Sequence, residues 1–213
     1  MEMFIADPHF GHENILKECR PQFHSIEEMD RTLIDNINRK MTREDTLYII
    51  GDLAFRNRCP IMEYLNAIAP RKILILGNHE KDWMKHVSRE ALDSVLDGIC
   101  EHYSFNRGGI EFHLQHFPQL AWNRSHYFAQ SISICGHIHN ARNESVAAEL
   151  FPLLKCQMNA GVDINHFEPV TFEELVANNT AFYGRSYTDE ETKALERAIA
   201  AFSRGENRTA KNG

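Results

Sequence analysis

Five short apolar runs in this chain each lead directly into residues that can bind a metal ion. Met3 to Ala6 leads into Asp7-Pro8-His9, Thr46 to Ile50 into Gly51-Asp52, and Lys72 to Leu76 into Gly77-Asn78-His79-Glu80. Ile110 to Leu114 leads into Gln115-His116, and Ser131 to Cys135 into Gly136-His137-Ile138-His139. Runs this short and this rich in β-branched residues favour buried strands over helices. In open α/β sheets the ligand crevice lies just beyond the C-terminal ends of the strands. The five segments would therefore deliver their Asp, Asn and His side chains to one place. Chance supplies one such coincidence, hardly five.

Helical patterns separate the first of these runs. Ser25 with Glu28 forms a capping-box pair, followed by Ile26, Met29, Leu33, Ile34, Ile37 and Met41 at helical spacing. Cys59 to Ile68 and Glu80 to Leu96 are read as helical too. The β-α-β-α-β order predicts a sheet covered by helices on both faces. In the second half the connections are short, which predicts antiparallel or mixed pairing. Thr171 with Glu174 and Thr188 with Glu191 cap two final helices, the last with Leu195, Ile199 and Phe202 on one face. That helix could pack on the core or on a second copy of the chain. A domain over residues 1–179 is expected, with a helical extension over 180–213 that frays from Ser203.

Composition limits the alternatives. At 213 residues the chain suits one core, and 43% hydrophobic with 25% charged residues is ordinary globular usage. No apolar run approaches the roughly 18 residues of a membrane span, and Met1 to Asp7 does not read as a secretory signal. Five cysteines without a C-x-x-C pair suggest reduced thiols, hence a cytoplasmic protein. A net charge of -7 and the absence of a Lys/Arg stripe with interleaved aromatics argue against a nucleic-acid surface. The 12 histidines recur at strand ends instead of clustering in tracts, which argues against metal storage.

The spacings suit metal ligation. In extended chain, residues i and i+2 project to one face about 6–7 Å apart. Asp7 with His9, and His137 with His139, could each serve two ions roughly 3.5–4 Å apart, with Asp52 bridging. Glycines 51, 77 and 136 would let the backbone turn tightly there. Imidazole, carboxylate and amide donors without thiolate suit Mn, Fe, Zn, Co or Ni.

The ordered blocks D-x-H, G-D, G-N-H-[DE], H and G-H-x-H, from Asp7 to His139, resemble the calcineurin-like metallophosphoesterases. The context Asp7 to Ile15, the triplet His116-Phe117-Pro118 and the later Gly161-Val162-Asp163 resemble a compact bacterial and phage branch. The resemblance implies an α/β fold of mixed sheets in a sandwich, flanked by helices, with a binuclear site at the strand ends. It implies one ion on Asp7, His9, Asp52 and His139, and another on Asp52, Asn78, His116 and His137. His79 would then act on the substrate, protonating the leaving oxygen or stabilising charge on the phosphoryl group, with a metal-bridging hydroxide as nucleophile. His116 is preferred over His113 for its slot. Possible substrate contacts are His12, Asn14, Arg20 and Arg124; the alternatives are helix capping for the first two and a solvated turn for Arg124.

The sequence departs from some relatives near the catalytic His. Leu53 to Arg58, after the G-D block, contains no carboxylate to orient His79, whose partner is left open. The expected activity is hydrolysis of a small phosphoester, with a phosphodiester slightly ahead. A phosphomonoesterase or a nucleotide pyrophosphatase is the alternative, and a non-catalytic metal-binding scaffold is a weaker one. The substrate could be a nucleotide, and a homo-oligomer is left open.

Overall fold

The computed structural model describes residues 1–56, 60–140 and 149–204. Four parallel strands form the first sheet in the order β1 (Glu2–Ile5), β2 (Thr46–Ile50), β3 (Arg71–Ile75) and β4 (Gly98–Cys100). The second sheet is mixed. β5 (His102–Arg107) is antiparallel to β6 (Ile110–Gln115), whereas β7 (Ser131–Cys135) and β8 (Gln157–Asn159) continue it in parallel. β4, β5 and β8 were not anticipated, because three-residue strands carry little periodic signal and His102–Arg107 is polar at four of its six positions.

Side-chain alternation along β1 and β2 sends residues to two different cores. Met3, Ile5, Leu47 and Ile49 pack with Met29, Leu33 and Ile37 of the helix Ile26–Lys40. Phe4, Tyr48 and Ile50 face the other way, towards Phe112, Leu114, Ile132 and Ile134 of the second sheet. The helices between the strands of the first sheet therefore cover only one of its faces. Its other face is closed by the second sheet, which corrects the expectation of helices on both sides.

The helix caps follow the sequence. Ser25 accepts from the Glu28 amide, although the Glu28 carboxylate takes the His24 amide and not that of Ser25. Both later capping boxes close reciprocally, at Thr171 for Phe172–Tyr183 and at Thr188 for Asp189–Ser203. The segment 80–96 is two short helices, Glu80–Met84 and Arg89–Asp93, and the segment 59–68 is helical over Ile61–Ala67, with Cys59 outside the described residues. The boundary expected at residue 179 falls inside a helix. Leu195, Ala198 and Phe202 of the last helix join the core between the sheets, so this helix packs on its own chain. No described helix is long and apolar enough to cross a membrane.

One buried carboxyl joins the helical layer to the loop after β1. Asp30 accepts from the Gly11 amide at 3.1 Å and from the Tyr64 hydroxyl at 2.9 Å. Burial pushes its pKa up to about 6 against those bonds. Its folded pKa exceeds the unfolded value, so its contribution is fully present below about pH 4 and is lost as pH rises through about 6. Asp30→Asn should therefore gain stability relative to the parent between pH 4 and pH 7, by on the order of 1–3 kcal/mol. Thermal melts showing a pH-independent difference between the two proteins would contradict this.

Candidate metal centre

The C-terminal ends of β1, β2, β3, β6 and β7 converge, as the strand order requires. Ligand-type atoms of Asp7, His9 and His139 lie within 4.8 Å of one another, and so do those of Asp52, His116 and His137. Asp52 lies at the centre. Its Oδ2 is 3.7 Å from His9 Nε2, 3.4 Å from His116 Nε2 and 3.8 Å from His79 Nε2. Asn78 Oδ1 is 3.1 Å from His116 Nε2.

The backbone reaches this arrangement through strain. Among the described residues ten non-glycine positions have positive φ, and five of these are Asp7, His9, Asp52, His137 and His139. Each such position costs about 1–3 kcal/mol and persists only where its surroundings hold it. Of the three glycines expected to turn tightly, only Gly51 has a positive φ, at 76°. All three are needed for closeness. A Cβ at Gly51 would lie 2.2 Å from His116 Nδ1, at Gly77 2.5 Å from Asp52 Oδ1, and at Gly136 2.6 Å from Asp7 Oδ2.

Hydrogen bonds fix the ring orientations. His116 Nδ1 donates to the Ile50 carbonyl at 3.1 Å, which turns Nε2 into the cluster. His139 Nδ1 is 2.8 Å from Asp163 Oδ2, which fixes that ring in the same sense. Burial lowers the pKa of both rings, but their partners outweigh it. The bond to Asp52 and the charges of Asp7 and Asp52 push His116 up to about 9. The bond to Asp163 and the charge of Asp7 push His139 up to about 10. Burial raises Asp7 to about 6, whereas His116 and its neighbours overcome burial and hold Asp52 well below the carboxylate range. His9 and His137 are both lowered, mainly by burial.

A metal fits this donor set. His9 is 2% exposed, yet neither ring nitrogen has a hydrogen-bond partner. Buried polar atoms are rarely left so, and a cation facing His9 would satisfy one of them. Asp7, Asp52 and the imidazoles supply the hard and borderline donors that divalent transition metals prefer.

His79 lies at the rim, with its side chain 28% exposed. Its amide donates to Asp52 Oδ1 at 3.0 Å. Its ring lies 3.9 Å from that of Phe55, centroid to centroid, so an aromatic face occupies the region where a carboxylate was sought. Glu80, 1% exposed, accepts from the Leu53 and Gly77 amides and ties the loops after β2 and β3 together. Burial pushes its pKa up to about 7.

The expected substrate contacts fare differently. His12 is buried, 5.5 Å from the His9 ring and edge-on to Phe55. Asn14 is exposed at the start of a short helix, Ile15–Glu18, and makes no side-chain capping bond. Arg124 is held by Glu111 and Gln130 and lies over Tyr127. Arg20 has no donor left over for a substrate. It is fully buried, and its guanidinium is spent on Asp163, Met29 and the carbonyls of Asp7 and Pro8. Sequence reasoning also gave Asp163 no definite partner; the pairing with His139 spans 24 residues and leaves no local signal.

A sandwich whose strand ends gather imidazoles and carboxylates in this way defines a class of metal-binding α/β proteins. The chain belongs within that class to the calcineurin-like phosphoesterases, whose family pattern matches residues 3–164. Membership implies divalent-metal binding and metal-dependent phosphoester hydrolysis. The chain is 29% identical over 177 residues to "Uncharacterized protein MJ1445" of Methanocaldococcus jannaschii, covering 81% of this chain and 87% of that one. It is 31% identical over 131 residues to "Gene 66 protein" of Mycobacterium phage L5, covering 55% and 63% respectively. The crystal structure of protein AQ665 from Aquifex aeolicus superposes with a TM-score of 0.61 at 28% identity, covering 82% of this chain and 96% of that one.

Gly51→Ala should displace His116 and cost at least about 1–3 kcal/mol, since φ strain and a clash combine. Gly184 also has a positive φ, 61°, but open space lies where a Cβ would stand. Gly184→Ala should cost about 1 kcal/mol and leave metal uptake intact. Equal thermal shifts and equal metal contents for the two variants would refute the packing argument.

Proposed function

We propose that this chain is a two-metal phosphoesterase. One ion would be held by Asp7, His9, Asp52 and His139, and the other by Asp52, Asn78, His116 and His137. The observation that carries this reading is the central place of Asp52, within 4 Å of imidazoles from both clusters. When bound, divalent ions of the Mn, Fe, Zn, Co or Ni group supply Lewis-acid polarisation of a phosphoryl oxygen and an acidified water.

The chain's own residues supply the rest. The bond from the His79 amide to Asp52 couples that residue to the centre, and its partly exposed ring can meet the leaving group. As the new P–O bond forms and the ester P–O bond breaks, His79 gives its proton to the departing oxygen. Phe55 limits the tilt of the ring. Asn78 and His137 are exposed, so among the described residues the centre opens onto solvent there. That openness favours an ester with two substituents, so a small phosphodiester, a nucleotide among the options, is preferred to a monoester.

Hydrolysis of an aryl phosphodiester and of its monoester should vanish after chelation and return with Mn, the diester being faster. His79→Ala should lower turnover by roughly 10²–10⁴-fold while metal content stays near the parent value. Turnover that survives chelation would end the metal reading. Near-parental turnover of His79→Ala would end the role given to that residue.

A further inference from the structure

Arg20 donates all it has inside the protein. Nε donates to Asp163 Oδ1 at 2.8 Å, and Nη1 to the Pro8 carbonyl at 2.8 Å and Met29 Sδ at 3.5 Å. Nη2 donates to the Asp7 carbonyl at 2.6 Å and to Asp163 Oδ2 at 3.1 Å. The two carbonyls belong to the turn that leaves β1, where Asp7 and His9 have φ values of 55° and 53° on either side of Pro8. Asp163, 1% exposed in its side chain, passes the connection on to His139 Nδ1.

The partners of this buried pair therefore lead to Asp7, His9 and His139. None of its hydrogen bonds reaches Asp52, His116 or His137 directly: Asp52 accepts from the His79 amide, the His116 ring donates to the Ile50 carbonyl, and the His137 backbone amide donates to the Asp7 carboxylate. Burying an Arg–Asp pair gives little net stability compared with apolar packing. Its fork geometry, which Lys does not reproduce, fixes several acceptors at once. We infer that Arg20 and Asp163 are positioning residues that build one metal site of the two, the one formed by Asp7, His9 and His139. The inference rests on the two-ion reading proposed above.

The test is a Mn(II) titration of the metal-free full chain, read by calorimetry and by electron paramagnetic resonance, for the parent, Arg20→Lys and Asp163→Asn. The parent should take up two ions and show an exchange-coupled pair. Each variant should bind one ion with parental affinity and the second 10- to 100-fold more weakly, on the scale known for partners of metal-bound histidines. At a limiting Mn concentration the variants should show an uncoupled single-ion spectrum. A role in stability alone would lower the melting temperature and leave both affinities unchanged, and that result overturns the inference. Equal weakening of both ions overturns it as well. If Arg20→Lys shows no cooperative melt, the near-isosteric Asp163→Asn decides by the same criteria. A parent that binds a single ion ends the two-ion reading instead. The positioning role then stands if the variants weaken that ion and falls if they do not.

Discussion

The metal-binding end depends on the carboxylate of Asp7, which is fully buried where the two sheets meet. Both of its oxygens accept from the amide of His137, at 3.0 and 2.9 Å, across 130 residues of sequence. On the same line the Ala6 amide donates to the Ala160 carbonyl, and the Val162 amide donates to the Ala6 carbonyl. β1 is thus stitched to the loop after β8, and the first and last ligand blocks are fixed relative to each other. A carboxylate in that place is expensive, as its pKa of about 6 registers. An apolar residue would pack more cheaply but could neither hold the His137 amide nor face a cation.

That joint leaves no room for ordinary side chains nearby. Gly136 lies so close to Asp7 that any Cβ would overlap a carboxylate oxygen, and Gly77 stands in the same relation to Asp52. The left-handed residues follow from the same crowding. Each ligand block must turn immediately after its strand, because a longer loop would carry the side chain away from the centre. Strain of about 1–3 kcal/mol per residue is thus the cost of short reach. It is offset by a well-packed sandwich and by buried clamps such as Glu80 and Arg20.

Much of this could be read from the sequence, and the reasons for success and failure are physical. β2 coincides with its run because a strand buried on both faces is nearly apolar throughout, and β7 is buried along its whole length although Ser131 and Ser133 interrupt its apolar residues. The helix caps at Ser25, Thr171 and Thr188 are encoded within four residues and were recognisable for that reason. The ligand blocks were legible because each is contiguous with its strand. β5 was not, since His102-Tyr103-Ser104-Phe105-Asn106-Arg107 alternates polar with aromatic residues in a way a loop could share. The contact of Phe55 with His79 was not legible either, since an aromatic contact of this kind has no spacing signature. The partners of Arg20 were hidden for a related reason. Asp163 lies 143 residues away, and a charged residue in a polar stretch reads by default as exposed.

The burial of Arg20 bears on how the charge of the centre is balanced. Asp7, Asp52 and Asp163 place three carboxylates within a few residues' reach of one another, in a chain that is already acidic overall. Arg20 pairs with Asp163 and helps keep it ionised, so that Asp163 can hold His139. Asp7 and Asp52 face His116, His139 and His9 and have no Lys or Arg in ion-pair contact among the described residues. The permanent cation is thus placed behind the centre, where it shapes the ligands. Around Asp7 and Asp52 the only basic partners among the described residues are imidazoles, the donor type that a divalent cation can bind.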